Sequence, residues 1–321
     1  MTVLVTGGAG FIAATLIQRL LERGRDVIAV DNFCRGSRAN LAHVLGHPGL
    51  QLVEADISNC DAFFAAVDIA AAGRAIAEVW HLAANSDIPA GVADPRIDFR
   101  DTFLTTFNTL LLMKERSIRQ MYFASSSAIY GDLGDIALTE EVGPLLPISN
   151  YGAMKLASEA QISAAAESHL DRALLFRFPN VVGVPATHGV ILDFVRKLQV
   201  DATRLQVLGD GTQQKAYLHV SDLVDAMLML REQAPDGVAP FNIGPVDEGV
   251  TVRWLAEQTV QAASPSAAID YGQGNRGWVG DVPKFHYSVA RLAAYGWSPK
   301  LDSTGAVSRA IAEIVQQEAC R

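Results

Sequence analysis

The stretch Thr6-Gly7-Gly8-Ala9-Gly10-Phe11-Ile12-Ala13 decides the fold that we predict for this chain. It follows the apolar run Val3–Thr6 and opens a long helical pattern. Gly7 permits a tight turn, and Gly10 lets the backbone approach a pyrophosphate at the helix N-terminus. Ala13 is small enough for the helix to pack closely on the strand. The spacing therefore predicts a strand, a phosphate-binding turn and a helix.

Outward from this unit, short apolar runs alternate with amphipathic helical patterns. Continuous apolar strands separated by helices predict a parallel sheet covered on both faces, an α/β Rossmann-type doubly wound fold. The predicted strands are Val3–Thr6, Val27–Val30, Leu52–Glu54, Val79–Leu82, Met121–Ala124 and Leu174–Phe178, with shorter ones at Leu205–Leu208 and Phe241–Ile243. We expect a dinucleotide-binding domain over 1–177 and a smaller α/β substrate domain over 178–321. The segment at about 213–244 is expected to return to the first domain.

Composition excludes several classes of protein. The chain has 321 residues, of which 50% are hydrophobic and 19% charged, so disorder is not predicted. A net charge of −9 argues against general binding to nucleic acid or to an anionic membrane. No apolar run is long enough to span a bilayer, and the first residues enter a strand, so we expect neither a membrane segment nor a secretory signal. Cys34, Cys60 and Cys320 form no CxxC motif, which favours a reducing cytoplasm and predicts neither disulfides nor a metal site.

Asp31 ends the second predicted strand, about twenty residues after the glycine turn. A carboxylate at this position accepts hydrogen bonds from the ribose diol and repels a 2′-phosphate, which favours NAD over NADP. Arg35 and Arg38 follow, and either could bind a phosphate, so NADP remains an alternative. Asp56-Ile57 could flank the adenine and Ala83-Ala84 could pack on the cofactor; the alternative for each pair is an ordinary strand end.

Tyr151 stands four residues before Lys155, so on a helix the two side chains share a face. A free tyrosine ionises near pH ~10 and is a poor base at neutral pH. A nearby cation favours the phenolate, so we expect Lys155 to lower the pKa of Tyr151 toward the working range. A hydroxyl from the run Ser125-Ser126-Ser127 could then hold the substrate oxygen. The alternative is a solvated pair, because this spacing is common on helices.

Taken together, these motifs resemble the extended short-chain dehydrogenase/reductases that act on nucleotide sugars. The motifs TGGAGFIA at 6–13, HLAA at 81–84, SSSAIYG at 125–131 and YGAMK at 151–155 occur in the family's order. The segments 180–183, 188–191, 208–213 and 276–282 are similar to those of compact UDP-galactose/UDP-glucose 4-epimerases. The resemblance implies that Tyr151 removes the proton of the sugar 4-hydroxyl while C4 gives hydride to the nicotinamide. The 4-keto sugar then turns, and hydride returns to its opposite face.

The resemblance also assigns site residues. It makes Tyr151, Lys155 and Ser126 catalytic. Cofactor contacts are expected from Gly7, Gly10, Phe11, Ile12, Asp31, Asn32, Asp56, Ile57, Leu82, Ala83, Ala84, Thr102, Ala124, Tyr151, Lys155 and Phe178. Substrate contacts are expected from Asn85, Ser126, Ser127, Tyr151, Asn180, Val190, Leu205, Gln206, Val207, Lys215, Arg276 and Asp281. Thr102 replaces an asparagine frequent in relatives, Lys215 replaces an arginine, and Asp87 either caps a helix or contacts sugar hydroxyls.

Departures from sister enzymes narrow the implied reaction. A 4,6-dehydratase of this family uses an Asp-Glu pair where this chain has Ser127 and Ala128, and a uronate decarboxylase has a glutamate at the Ala128 position. Thr187 stands where uronate 4-epimerases place an arginine, and Phe285 matches a bulky position that excludes N-acetyl sugars. We therefore predict an NAD-dependent 4-epimerase of UDP-glucose and UDP-galactose. The alternatives are a UDP-uronate or UDP-N-acetylhexosamine 4-epimerase, a net oxidoreductase, and a non-catalytic NAD-binding protein.

A homodimer is the assembly that the resemblance implies. It would pair the helix at about 102–116 and the Tyr151 helix of each subunit. Leu111, Leu112, Met154 and Ile162 are the expected outer residues, with internal packing of the same stripe as the alternative.

Overall fold

The computed structural model describes residues 1–134, 136–274 and 286–320. The chain forms two compact units, and both are discontinuous in sequence. The first comprises Met1–Gly131, Pro144–Arg177 and Met227–Phe241, and the second comprises Asp132–Gly143, Phe178–Ala226 and Asn242–Arg321.

Strands and helices alternate through the first half of the chain. The strands are β1 Thr2–Thr6, β2 Asp26–Asp31, β3 Leu50–Glu54, β4 Ile76–His81, β5 Gln120–Ala124, β6 Ala137–Leu138, β7 Arg172–Arg177, β8 Asn180–Val182, β9 Arg204–Val207, β10 Gln214–Lys215, β11 Tyr217–His219, β12 Gly237–Asn242, β13 Val250–Thr251, β14 Ala268–Tyr271 and β15 His286–Tyr287. The α-helices are α1 Phe11–Glu22, α2 Cys60–Ala71, α3 Ile88–Ala93, α4 Pro95–Asp98, α5 Thr105–Glu115, α6 Asn150–Ala166, α7 Val190–Val200, α8 Val220–Gln233, α9 Val252–Ala263, α10 Ala290–Ala293 and α11 Ser303–Ala319. Short 3₁₀ turns cover Arg38–Leu41 and Ser127–Tyr130, and a π-helical turn covers Phe99–Leu104.

A seven-stranded sheet forms the centre of the first unit, in the order β12-β7-β5-β4-β1-β2-β3. The pairs from β7 to β3 are all parallel. This order reverses between β1 and β4, which makes a topological switch point of the kind where doubly wound sheets bind ligands, outside the carboxyl ends of the strands. The predicted α/β Rossmann-type fold is confirmed. The sheet also explains why the glycine turn and Asp31, at the ends of β1 and β2, lie at the same edge.

The core of the first unit is built from apolar side chains on the sheet and the helices that cover it. Leu4, Ile28, Val79 and Phe123 from the strands are essentially buried. Leu112 and Ile162, expected as outer residues of a dimer face, also belong to this core. That expectation was wrong for these two residues, because the stripe they share turns toward the sheet.

The second unit is assembled from short strand pairs and three helices around a core of its own. β8 pairs with β11 and β9 with β14, both parallel, while β10 and β13 pair antiparallel. Apolar residues of α7, α9 and α11 fill the centre, among them Phe194, Leu255 and Ile311. Throughout the described ranges of both units, we find no helix with the length and apolar character of a membrane span.

Candidate active site

The glycine turn between β1 and α1 is held in place by hydrogen bonds and by close backbone packing. Gly7 has a φ of +66°, and a Cβ placed there would lie 2.8 Å from the backbone nitrogen of Ala83. Gly10 donates its N–H to the Gly7 carbonyl at 3.0 Å and precedes the first residue of α1. The Ala9 carbonyl accepts the Asn40 side-chain amide at 2.7 Å. Gly7 is therefore required by its backbone conformation and by the close approach of Ala83, in agreement with the predicted tight turn, while the approach of a pyrophosphate to Gly10 stays a prediction.

Asp31, the last residue of β2, has a buried carboxylate that hydrogen-bonds to the glycine turn. Its Oδ2 accepts the Ala9 N–H at 2.9 Å, and its Oδ1 accepts the Phe33 N–H at 2.8 Å. Burial raises the pKa of Asp31, and the two backbone donors oppose that rise. Arg35, one of the two arginines considered for a 2′-phosphate, pairs instead with Asp87 at 3.0 Å.

These residues fit a dinucleotide. Within the described chain, α1 has neither a side-chain cap nor an acidic residue in its first turn, so no side chain caps its N-terminal N–H groups. Donors of this kind at a helix N-terminus suit a pyrophosphate, and Asp31 stands where the ribose of the same cofactor would be bound. The donor set thus suits the phosphates and sugar of NAD.

The other residues of the first unit that were expected to contact the cofactor differ in position and in solvent exposure. Asp56 accepts hydrogen bonds from the Ser58 N–H and hydroxyl, while Ile57 is 4% exposed and packs in the core. Thr102 is buried in the π-helical turn, where its hydroxyl accepts the Asn85 N–H at 3.1 Å. Phe11 and Ile12, in the first turn of α1, and Leu82, Ala83 and Ala84, after β4, are partly exposed, and Asn32, after β2, is exposed. Their contacts to the cofactor stay predictions.

Tyr151, Lys155 and Ser126 meet beyond the carboxyl end of β5. The Ser126 side chain lies near the Tyr151 hydroxyl and lowers its pKa, and the Lys155 ammonium lies 5.9 Å from the centre of the Tyr151 ring. Lys155 is 2% exposed and donates to the Ala124 carbonyl at 2.5 Å. Helix α6 begins at Asn150 because the Ser149 hydroxyl accepts the Gly152 N–H, which fixes Tyr151 in the first turn. The trio predicted from spacing is therefore assembled.

The expected lowering of the Tyr151 pKa by Lys155 was wrong. Burial raises the pKa of Tyr151 to about 12, with the Ser126 hydrogen bond lowering it and the charge of Asp98 raising it. Burial also lowers the pKa of Lys155 to about 7, against the charge of Glu159. Sequence spacing places the two groups together but carries no information on how much water surrounds them, and exclusion of water dominates here.

Asn85 holds the loop after β4 in place through hydrogen bonds of its side-chain amide. The Asn85 amide donates to the Asp87 carbonyl at 2.9 Å and to Asp98 Oδ1 at 2.8 Å, and its oxygen accepts the Asp87 N–H. Both amide donors are used inside the chain, and the expected substrate contact of Asn85 stays a prediction. Asp87 caps α3 through the Ala90 N–H, which resolves its role in favour of the cap. Asp98 Oδ2 is buried without a partner among the described residues.

The substrate residues expected after Arg177 belong to the second unit. Leu205 and Val207 are buried in its core, and Gln206 between them is exposed on β9. Lys215 lies on β10, and the Asn180 amide donates to the Ala216 carbonyl at 3.3 Å. Phe178 and Val190 are partly exposed. Arg276, Asp281 and Phe285 lie outside the described residues, and Ser127, in the first unit, is partly exposed in its 3₁₀ turn.

A buried ion pair next to the trio was not predicted. Glu159 on α6 binds Arg177 at the end of β7, with the Arg177 guanidinium nitrogens 3.0 and 2.6 Å from the two carboxylate oxygens. Ser125 donates to the same carboxylate at 2.5 Å, so this serine faces the interior rather than a substrate. The spacing Tyr151, Lys155, Glu159 at four-residue intervals was a signal that could have revealed the glutamate.

A Rossmann-type sheet with a glycine turn, an acidic residue after β2 and a Ser–Tyr–Lys trio defines an NAD-dependent enzyme of the short-chain dehydrogenase/reductase class. A family model described as the NAD dependent epimerase/dehydratase family matches residues 3–244. The chain belongs to this family, and NAD is its cofactor.

Named relatives span more than one reaction. A putative UDP-glucose 4-epimerase of Methanocaldococcus jannaschii is 28% identical over 314 residues, 96% of this chain and 97% of that protein. UDP-glucuronic acid decarboxylase 1 of Arabidopsis thaliana is 27% identical over 327 residues, 98% of this chain and 69% of that protein. A crystal structure of a UDP-galactose 4-epimerase is 32% identical, with a TM-score of 0.85 over 99% of both chains.

Proposed function

We propose that this enzyme interconverts UDP-glucose and UDP-galactose by inverting C4 of the sugar. The observation that carries the proposal is that Ser126 and Tyr151 lie close together beside a buried Lys155, with Ser127 and Ala128 as the next residues after Ser126. Neither Ser127 nor Ala128 can act as the carboxylic acid or carboxylate that decarboxylation or dehydration needs. This chemistry supports acid–base work at one sugar oxygen.

The residues divide the work around the 4-hydroxyl. Ser126 hydrogen-bonds the 4-oxygen, and Tyr151 accepts the hydroxyl proton and later returns it to the same oxygen. Tyr151 accepts this proton as the phenolate, after its own phenol proton has been released to water, and Lys155 stabilises the phenolate charge. NAD supplies the acceptor for the hydride that leaves C4 and then the donor that restores it. The net reaction consumes neither proton nor cofactor.

The uronate decarboxylase relative makes a second reaction testable. UDP-glucuronate should bind poorly in this chain, because Thr187 offers no charge to a sugar carboxylate. UDP-N-acetylglucosamine and UDP-glucuronate are therefore run beside UDP-glucose in one substrate panel. A homodimer and a cytoplasmic location stay predictions from the sequence.

Purified protein should convert UDP-glucose to UDP-galactose without added NAD. Proton NMR of the anomeric signals measures this conversion. Replacing Tyr151 by Phe should lower kcat by roughly 10²- to 10⁴-fold, because it removes the proton acceptor. Tyr122→Phe is the matched control: Tyr122 is buried in the same unit and donates to Gln120 at 3.0 Å, so kcat should stay unchanged. Full activity of Tyr151→Phe, or release of CO₂ from UDP-glucuronate, would refute the proposal.

A further inference from the structure

The buried pair Glu159–Arg177 lies between the elements that carry the catalytic trio. Their side chains are 5% and 7% exposed, and the guanidinium binds both carboxylate oxygens. Removing such charges from water costs about as much free energy as their attraction returns, so a buried pair is weak evidence of a purely stabilising role. Its other contacts indicate what it holds in place.

Glu159 and Arg177 each form a hydrogen bond with the segment that carries Ser126. Ser125 Oγ donates to Glu159 Oε1 at 2.5 Å, and an Arg177 nitrogen donates to the Tyr130 hydroxyl at 3.0 Å. Ser125 and Tyr130 lie at the two ends of this short segment. Hydrogen bonds to charged groups are stronger than neutral ones. The segment is therefore fixed at both ends to the pair, and through Glu159 to α6.

Glu159 also lies one helical turn beyond Lys155. The Lys155 ammonium is buried, donates to the Ala124 carbonyl and lies 4.7 Å from the centre of the Phe123 ring. Among the described residues it forms no direct ion pair. The charge of Glu159 raises the pKa of Lys155, in opposition to burial.

We propose that Glu159 is a positioning residue for this reaction: it fixes Ser126 through Ser125 and provides the countercharge of the buried Lys155 ammonium. The inference rests on the roles proposed above for Tyr151, Lys155 and Ser126. It goes beyond them because Glu159 contacts none of the reacting atoms.

The other charged or titratable groups near Lys155 do not replace Glu159. His81 on β4 is buried between threonine hydroxyls, and burial lowers its pKa to about 3, so it is neutral. Tyr151 on α6 carries no negative charge at neutral pH because burial raises its pKa to about 12. Arg177 on β7 carries a positive charge, and Asp98 at the end of α4 acts on Tyr151.

Two variants separate the two effects. Glu159→Gln keeps the shape and removes the charge, whereas Ser125→Ala removes the link to the turn and keeps both charges. The matched control is Glu167→Gln, an exposed glutamate at the end of the same helix. The first readout is an NMR titration of ¹⁵Nζ-labelled lysines, with Lys155 assigned from its loss in Lys155→Met; the chain has only six lysines. The second readout is the pH profile of kcat.

Glu159→Gln should lower the pKa of Lys155 by about one unit or more, and the alkaline limb of the kcat profile should move to lower pH by the same amount. Ser125→Ala should leave the Lys155 titration in place and lower kcat by roughly 10-fold with little change in KM. Glu167→Gln should change neither. An unshifted Lys155 in folded Glu159→Gln protein overturns the proposal, as does a Ser125→Ala enzyme with wild-type kcat.

Should Glu159→Gln fail to fold because Arg177 is left unpaired, the double variant Glu159→Gln/Arg177→Met removes both charges. The reference for this variant is Arg177→Met alone, which also lacks the arginine charge; a Lys155 pKa equal in the two variants overturns the proposal equally. The titration uses the protein without substrate. A failure of the proposed UDP-glucose activity is therefore distinguishable from a failure of the role of Glu159.

Discussion

Replacing Lys155 by Met should stabilise the protein while abolishing its catalysis. The pKa of Lys155 falls from 10.5 in the unfolded chain to about 7 in the folded protein. Each unit of such a fall destabilises the fold by about 1.4 kcal/mol at pH values below both pKa values. Burying this lysine therefore costs about 5 kcal/mol at neutral pH and below.

Methionine keeps the length of the side chain but lacks its charge. The variant loses the hydrogen bond to the Ala124 carbonyl, worth about 1 kcal/mol, and a contact of the cation with the Phe123 ring, also about 1 kcal/mol. The expected net gain in the free energy of unfolding is about 3 kcal/mol, or roughly 5 °C in Tm for a chain of this size.

The pH dependence of this gain has a definite sign. A group whose folded pKa is lowered destabilises the protein fully below the folded pKa, and the penalty disappears as pH rises to the unfolded pKa of 10.5. The advantage of Lys155→Met should thus be largest near pH 6 and shrink steadily toward pH 10. Denaturant unfolding at several pH values measures it.

Lys197→Met is the control for loss of a lysine at the surface. Lys197 is partly exposed and pairs with Asp193 at 2.7 Å, so its loss should change the free energy of unfolding by less than about 1 kcal/mol. A Lys155→Met protein less stable than the wild type at pH 7, or an advantage that does not vary with pH, would refute the reasoning.

Two further predictions concern packing and charge in the first unit. A Cβ added at Gly91 would lie 1.9 Å from Asp98 Oδ2, so Gly91→Ala should destabilise by roughly 3 kcal/mol in urea unfolding. Combining it with Asp98→Ala should cost at least about 1 kcal/mol less than the sum of the single changes, and strict additivity would contradict the clash. Glu78, fully buried, binds Arg231 at 2.7 Å, so Glu78→Gln should lower stability by about 3–5 kcal/mol. Thermal unfolding should find much of that loss recovered when both residues become Leu, and no recovery would argue against an unpaired charge as the cause.

The parts of this protein that depend on local pattern could be predicted from its sequence. Apolar runs of strand length and the glycine turn specify the order of β1, α1 and β2, and Gly24, with a φ of +70°, follows the C-cap of α1. The catalytic trio followed from a four-residue spacing and a resemblance. Each of these features involves residues close together in the chain or a motif of fixed geometry.

The features that the sequence did not predict depend on contacts between distant residues and on exclusion of water. Asn85 and Asp98 meet across thirteen positions, and Glu159 and Arg177 across eighteen. The opposite changes in the pKa of Tyr151 and Lys155 arise from burial, which no spacing encodes. The prediction for Leu112 and Ile162 was wrong because an apolar stripe on a helix does not show whether it packs on the core of its own chain or on a second subunit.

The carboxylate of Asp31 has a consequence for attempts to redesign the cofactor preference. Exchange of this residue is the obvious first step toward a cofactor with a 2′-phosphate, since its charge repels that group. Here the same two oxygens also tie the Ala9 N–H and the Phe33 N–H. A single exchange would therefore loosen the phosphate-binding turn while it altered the ribose pocket. A change of preference in this chain has to be made as a coupled set of mutations, in which new donors and acceptors for residues 9 and 33 are introduced together with the new specificity.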